Sequence, residues 1–202
     1  SFNIAGNGFN EAAGNLGALR VESGTIAGTV TLTANSRITN FVAANTATLG
    51  GFVSGSFALE KTGAGVISLT ADNSTSTITG VAINAGALQF NALNNIPGSS
   101  TGSLTVGTTS NTTGGIASSL PYTTLLNDTR INPASTGVYG LTGPSSSAID
   151  FTTLTQSYPN LGLGSSGGNF TYSGTFTPGG STYFLGGGGG NLTYGSALTD
   201  AA

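Results

Sequence analysis

The side chains able to do acid–base or nucleophilic chemistry are few and scattered. The 202-residue chain carries seven carboxylates, at Glu11, Glu22, Glu60, Asp72, Asp128, Asp150 and Asp200, and four bases, at Arg20, Arg37, Lys61 and Arg130. It has no histidine and no cysteine. That removes the commonest general base and the Ser-His-Asp arrangement. It also removes thiol nucleophiles and thiolate metal sites. A glycan-cleaving centre needs two carboxylates about 5 to 9 Å apart. No two acids here are adjacent or two residues apart, so only long-range folding would unite a pair. The residues point to a protein that is not an enzyme, with no catalytic residue, no metal site and no cofactor.

The local motifs have structural readings. The glycine run 186–190 lacks the Lys-Ser/Thr that ends a phosphate-binding loop, since Asn191-Leu192 follows. It reads as a tight corner, or as backbone packed on a neighbouring strand. Asp72-Asn73-Ser74 offers oxygen ligands for calcium, but one carboxylate is too little charge for a firm site. A turn in which Asp72 caps its own backbone is expected there. Glu60 and Lys61 are neighbours, so on a strand they point to opposite faces and do not pair. They read as solvated charges flanking a coil. Asp128 and Arg130 share a face and suit an ion pair, at the surface or between subunits. Five Asn-x-Ser/Thr sequons, at Asn73, Asn111, Asn127, Asn169 and Asn191, are as many as chance gives in a chain this rich in Asn, Ser and Thr, so they do not argue for glycosylation.

The elements that position these residues are strands. From 59 to 90 the apolar residues recur at every second position: Ile67 and Leu69, then Ile78, then Val81 and Ile83 after a break at Gly80, then Leu88 and Phe90. Period two marks a strand with one buried face. Gly, Asn, Asp and Ser bound each run as turn formers. Val30 and Leu32 alternate with threonines in the same way. The pattern (V/I)-x-L-T-A-(N/D) occurs at Val30 and again at Ile67, about 37 residues apart, which suits one and a half to two turns of a parallel β-helix. No segment sustains a helical apolar pattern.

Composition sets the class. Charged residues are 5% of the chain, against about 25% in ordinary globular proteins. The net charge of −3 and the scattered bases leave no basic patch for nucleic acid. No run of 18 apolar residues spans a membrane. No signal peptide is seen, and Ser1 leads straight into a strand-like FNIAG, so the chain reads as a mature product or a piece of something larger. Without cysteine, stability rests on stacked strands. Three stretches differ in texture. Residues 1–120 read as solenoid coils. Residues 121–150, with three of the six prolines, read as an insertion, a cap or a boundary. Residues 151–202 form a Gly- and aromatic-rich terminal β segment that reads as a hairpin or a last wide coil.

The segment 59–90 also resembles a known family. Leu59, Lys61, Thr62, Gly63, Gly65, Ile67, Leu69 and Thr70, followed by Asn84, Ala85, Gly86, Leu88 and Gln89, are similar to the autotransporter-associated β-strand repeat of large bacterial surface proteins. The family's usual Asn-Thr-Tyr turn is degraded here to Asn73-Ser74-Thr75-Ser76-Thr77. The resemblance implies a secreted, repetitive β-solenoid without catalytic activity.

The expectation is therefore an all-β chain: a parallel β-helix or β-solenoid with a more irregular C-terminal β segment. It would be extracellular or on a bacterial cell surface, as a structural subunit of a fibre, layer or matrix. A surface so poor in charge does little to keep copies apart, and strand edges at the ends of a stack invite pairing. A homo-oligomer or polymer is the expected partner state. Phe2, Phe9, Tyr158, Tyr183, Phe184 and Tyr194 are the candidate self-association residues. The alternative is an adhesin that stacks glycan on an aromatic stripe of Tyr172, Tyr183 and Tyr194; the third reading is a polysaccharide-acting enzyme.

Overall fold

Short β-branched runs punctuated by turn formers cannot bury a face alone, so they wind and stack. The computed structural model describes residues 1–11, 14–108 and 113–198. Among them the chain is nearly all β, wound as a parallel β-solenoid of about seven turns. One sheet stacks Phe2–Gly6, Val30–Thr39, Ala58–Thr62, Gly80–Ile83 and Leu104–Val106, in that order and parallel throughout. The short strands Leu19–Arg20 and Val53–Ser54 also pair with Val30–Thr39. The second sheet stacks seven rungs: Gly24–Ile26, Thr46–Leu49, Val66–Leu69, Ala87–Phe90, Gly115–Ala117, Val138–Leu141 and Gly162–Ser165. Spatial order equals chain order in both, as a solenoid requires.

Coil length follows from the register. Thr46 pairs with Val66, 20 residues on, and Ala87 pairs with Gly115, 28 residues on. The 37-residue echo links Val30 in the first sheet to Ile67 in the second. It is one coil plus the walk from one sheet to the other.

Stacking places like positions above one another, so the core consists of columns. In the second sheet Ala47, Ile67, Leu88, Ile116, Tyr139 and Leu163 follow one another inward. Five of them, all but Tyr139, are wholly buried. Burying one such Ile or Leu contributes about 1.5–3 kcal/mol. That decides which face of each alternating run turns inward.

The stretch 121–150 carries a rung of the ladder. Val138–Leu141 pairs with Gly115–Ala117 on one side and Gly162–Ser165 on the other. The same stretch adds a five-residue helix, Tyr122–Leu126, to its coil. In the terminal segment Asn169–Tyr172 pairs with Asn191–Tyr194 in parallel, so it is a wide coil and not a hairpin. An antiparallel pair does occur near the start, where Asn10–Glu11 meets Gly14–Asn15. This small hairpin interrupts the first rung between Phe2–Gly6 and Leu19–Arg20.

The second sheet departs from the expected single buried face. All four residues of Val66–Leu69 are buried. The glycine run lies against this sheet's outer side: Gly188 N–H donates to the Thr113 carbonyl at 2.8 Å, and a Cβ on Gly115 would stand 2.8 Å from the Gly188 Cα.

Candidate association surface

The six candidate residues separate into exposed and packed groups. Phe2 heads the first strand and is 46% exposed, and Phe9, before the small hairpin, is 82% exposed. Phe184, beside the last rung of the second sheet, is 41% exposed. Tyr158 is wholly buried, which corrects its assignment as a contact residue. Its hydroxyl donates to the Leu126 carbonyl at 2.7 Å and accepts from Gln156 Nε2 at 3.2 Å. A phenol needs one partner to be buried cheaply, and here it fastens one coil to the helix of the coil before. Tyr183 and Tyr194 are half-buried. Tyr183 packs edge-on against Phe176, with ring centres 6.0 Å apart, and Tyr194 lies 5.7 Å from Tyr172.

Sequence reasoning missed several exposed apolar side chains: Phe41, Val42, Phe57, Leu185 and Leu198. Phe41 and Val42 sit at a corner that Glu22 organises. Its carboxylate accepts both their N–H groups, at 3.0 and 3.2 Å, and pairs with Arg20, whose guanidinium lies 5.6 Å from the Phe41 ring centre. Burial opposes ionisation of Glu22, but these donors outweigh it and hold its pKa below the ordinary value. Between residues 58 and 183, no large apolar side chain is exposed among the described residues.

The charged residues are structural in this geometry. Glu60 faces outward and meets Arg37 on the neighbouring rung at 2.8 Å, and accepts from Asn84 at 2.8 Å. Lys61 faces inward and is wholly buried, which corrects its reading as a solvated charge. It stands in a column between Ile38 and Ile83. Its Nζ donates to the carbonyls of Thr62 at 2.7 Å, Gly63 at 2.8 Å and Ala85 at 3.0 Å. Alternation was the missed signal, since Lys61 shares a face with Leu59. Burial pushes the ammonium down to about 7, against the opposing pull of Glu22.

Asp128 and Arg130 do pair, at 2.6 Å, within one chain and mostly buried. Arg130 also donates to the carbonyls of Leu93 at 2.7 Å and Ile96 at 2.8 Å, so it pins one coil corner to the one before. Burial pushes the Asp128 carboxyl up. The Arg130 side-chain and backbone hydrogen bonds, with the guanidinium charge, outweigh that and hold its pKa below the ordinary 3.8. A depressed carboxyl means that the unfolded chain binds the proton more readily. The pair's contribution is therefore complete above pH 3.8 and is lost as pH falls through the lower folded value. Urea midpoints measured from about pH 5 down to about pH 2.5 should fall less steeply in Asp128→Asn than in the parent chain.

Asp72 caps its own turn, accepting from Ser74 N–H at 3.0 Å and Ser74 Oγ at 2.6 Å. No group of three or more acids, His or Cys gathers among the described residues. Asn73 beside it is wholly buried; its Oδ1 accepts from Val53 N–H at 2.8 Å and its amide donates to the Asn95 carbonyl at 3.1 Å. That sequon has no surface to modify. The Asn111 sequon lies outside the described residues. No helix of the described residues is long and apolar enough to cross a membrane.

The proposed sugar-stacking stripe is not assembled. Tyr172 is wholly buried, with its hydroxyl proton shared between the carbonyls of Thr175 at 2.7 Å and Ser147 at 2.9 Å. Compared with family models, with curated proteins and with solved structures, the chain matches none.

Proposed function

We propose that the chain is a non-enzymatic structural subunit of a bacterial extracellular fibre, layer or matrix, self-associating near the ends of its stack. One observation carries this reading. Large apolar side chains are exposed in the first three coils and again from Phe184 onward, while the flanks between them present Ser, Thr, Asn and Gly. Flanks of that kind are well hydrated, whereas apolar side chains beside strand edges favour burial against a partner. Strand addition would supply backbone hydrogen bonds, and Phe2 and Phe184 the desolvated contacts. The resemblance of 59–90 to surface-protein repeats points the same way.

Negative-stain images and sedimentation of the purified chain test it. Ordered polymers are expected, and the double variant Phe2→Ser/Phe184→Ser should raise the concentration needed for assembly about tenfold, equivalent to about 1.4 kcal/mol. Monodisperse rods at every concentration would sink the reading.

A further inference from the structure

The ladder has a gap just beyond the ends of two rungs of the second sheet, Gly115–Ala117 and Val138–Leu141. The corner 118–122 and the next corner, 142–149, face one another without pairing until Tyr122 and Asp150 meet. There the Tyr122 hydroxyl donates to the Asp150 carbonyl at 3.2 Å and accepts its N–H at 3.0 Å. Between the corners lies a groove of about 570 Å³. Tyr139, Leu141 and Ile149 form its apolar floor, and all three are more than nine-tenths buried.

Tyr139 is the unusual member. It continues an inward column of aliphatic side chains, yet it carries a hydroxyl that makes no hydrogen bond among the described residues. Its neighbour Tyr122 lies 6.3 Å away, ring centre to ring centre, with its own hydroxyl already engaged. Burial, and then the nearness of Tyr122, raise the Tyr139 pKa, so the phenol keeps its proton. Tyr139 lines the groove and its hydroxyl is not sealed off in the core, so a ligand in the groove can take it as donor or acceptor.

The rim is rich in hydroxyls and free of charge. Ser118 Oγ and Ser145 Oγ accept backbone N–H groups, from Leu120 at 2.9 Å and Ser147 at 3.3 Å, which leaves each hydroxyl proton free to donate. Among the described residues no Asp, Glu, Lys or Arg lines the groove. An extended peptide would want a continuous strand edge, but Pro144 removes a donor from the middle of the corner. A ligand with many neutral hydroxyls and an apolar C–H face matches better: hydroxyls meet Ser and Tyr, and the C–H face meets the rings.

We propose that the groove between 118–122 and 142–149 binds a neutral oligosaccharide, with the Tyr139 hydroxyl as a hydrogen-bonding group at its base. This site is distinct from the apolar ends of the stack and holds whether or not the chain polymerises.

The chain has no tryptophan, so tyrosine emission is observable, and the part of a binding-induced change that is lost in Tyr139→Phe belongs to the groove. The full chain would be titrated with neutral cello-, malto- and xylo-oligosaccharides of two to six units, with oligogalacturonate as the charged counterpart and a neutral Ser/Gly/Ala hexapeptide as the extended-strand control. Saturable binding of at least one neutral series is expected. Tyr139→Phe keeps the ring and removes the hydroxyl, and should weaken binding about tenfold with the melting temperature held or raised. Gly143→Phe, at a position where an added Cβ meets nothing within 4 Å, should abolish binding with the melting temperature held. The proposal is overturned if no neutral sugar binds, if both variants bind as the parent does, or if oligogalacturonate or the peptide binds as tightly as the sugars.

Discussion

Replacing Lys61 by methionine should destabilise the fold by about 3 kcal/mol or more, even though methionine nearly matches the lysine stem in volume. Three carbonyls, of Thr62, Gly63 and Ala85, take their hydrogen bonds from the ammonium inside the core. Each buried acceptor left without a donor costs about 1–3 kcal/mol. Removing a desolvated charge gives some of that back, but the backbone carbonyls stay when the side chain goes, which is the unfavourable case for breaking a buried polar cluster. Lys61→Ala should cost more, because a cavity is added to the lost donors. A pH arm separates the charge from the packing. The folded pKa of about 7 lies below the ordinary 10.5, so the unfolded chain holds this proton more tightly. Stability from this group therefore rises as pH climbs from about 7 to about 10.5, and the rise should vanish in Lys61→Met. Urea unfolding at pH 7 and at about pH 9.5 measures both effects. A methionine variant as stable as the parent at pH 7 would show that the three carbonyls do not depend on the ammonium.

The second large effect is expected at Gly189, substituted by alanine. Gly186, Gly187, Gly188 and Gly189 have φ values of 97°, 102°, 81° and 87°, a left-handed run that only glycine adopts without strain. A Cβ on Gly189 would also strike the Ala64 carbonyl oxygen, which is backbone and cannot turn aside. The left-handed conformation alone costs about 1–2 kcal/mol for a non-glycine residue. That strain raises the detached population of this segment about 5- to 30-fold. Amide exchange and proteolysis within 186–194 should accelerate by at least that factor, while the strands of the first sheet keep their protection. Val138, now buried beneath Gly187 and Gly188, would become accessible on the outer side of the second sheet. Unchanged protection of 186–194 in Gly189→Ala would show that the segment does not lie where the structure puts it.

Much of the architecture was legible because a solenoid repeats one simple rule. Alternation placed the strand Val66–Leu69, most of Val81 to Ile83, and Ala87–Phe90, and turn formers marked their ends. What escaped was what depends on neighbours far along the chain. Tyr158 looked like a surface aromatic because its partner, the Leu126 carbonyl, lies a coil away. The groove at Tyr139 escaped for the same reason: its two walls come from successive coils, and no local pattern says that they stay unpaired. Residues 121–150 looked like an interruption because prolines and a short helix disguise the rung Val138–Leu141.

Two levels of determination thus separate in this protein. Local alternation, the scarcity of charge and the lack of cysteine by themselves dictate stacked parallel strands, since nothing else in the chain can bury its apolar faces. The tertiary structure alone decides which exceptions are tolerated. Lys61 lies in the core because carbonyls from two rungs converge on its ammonium. The second sheet is covered on its outer side because a glycine run far along the chain folds against Ala64, Gly86 and Val138, and contacts made across such a separation leave no trace in any short stretch of sequence.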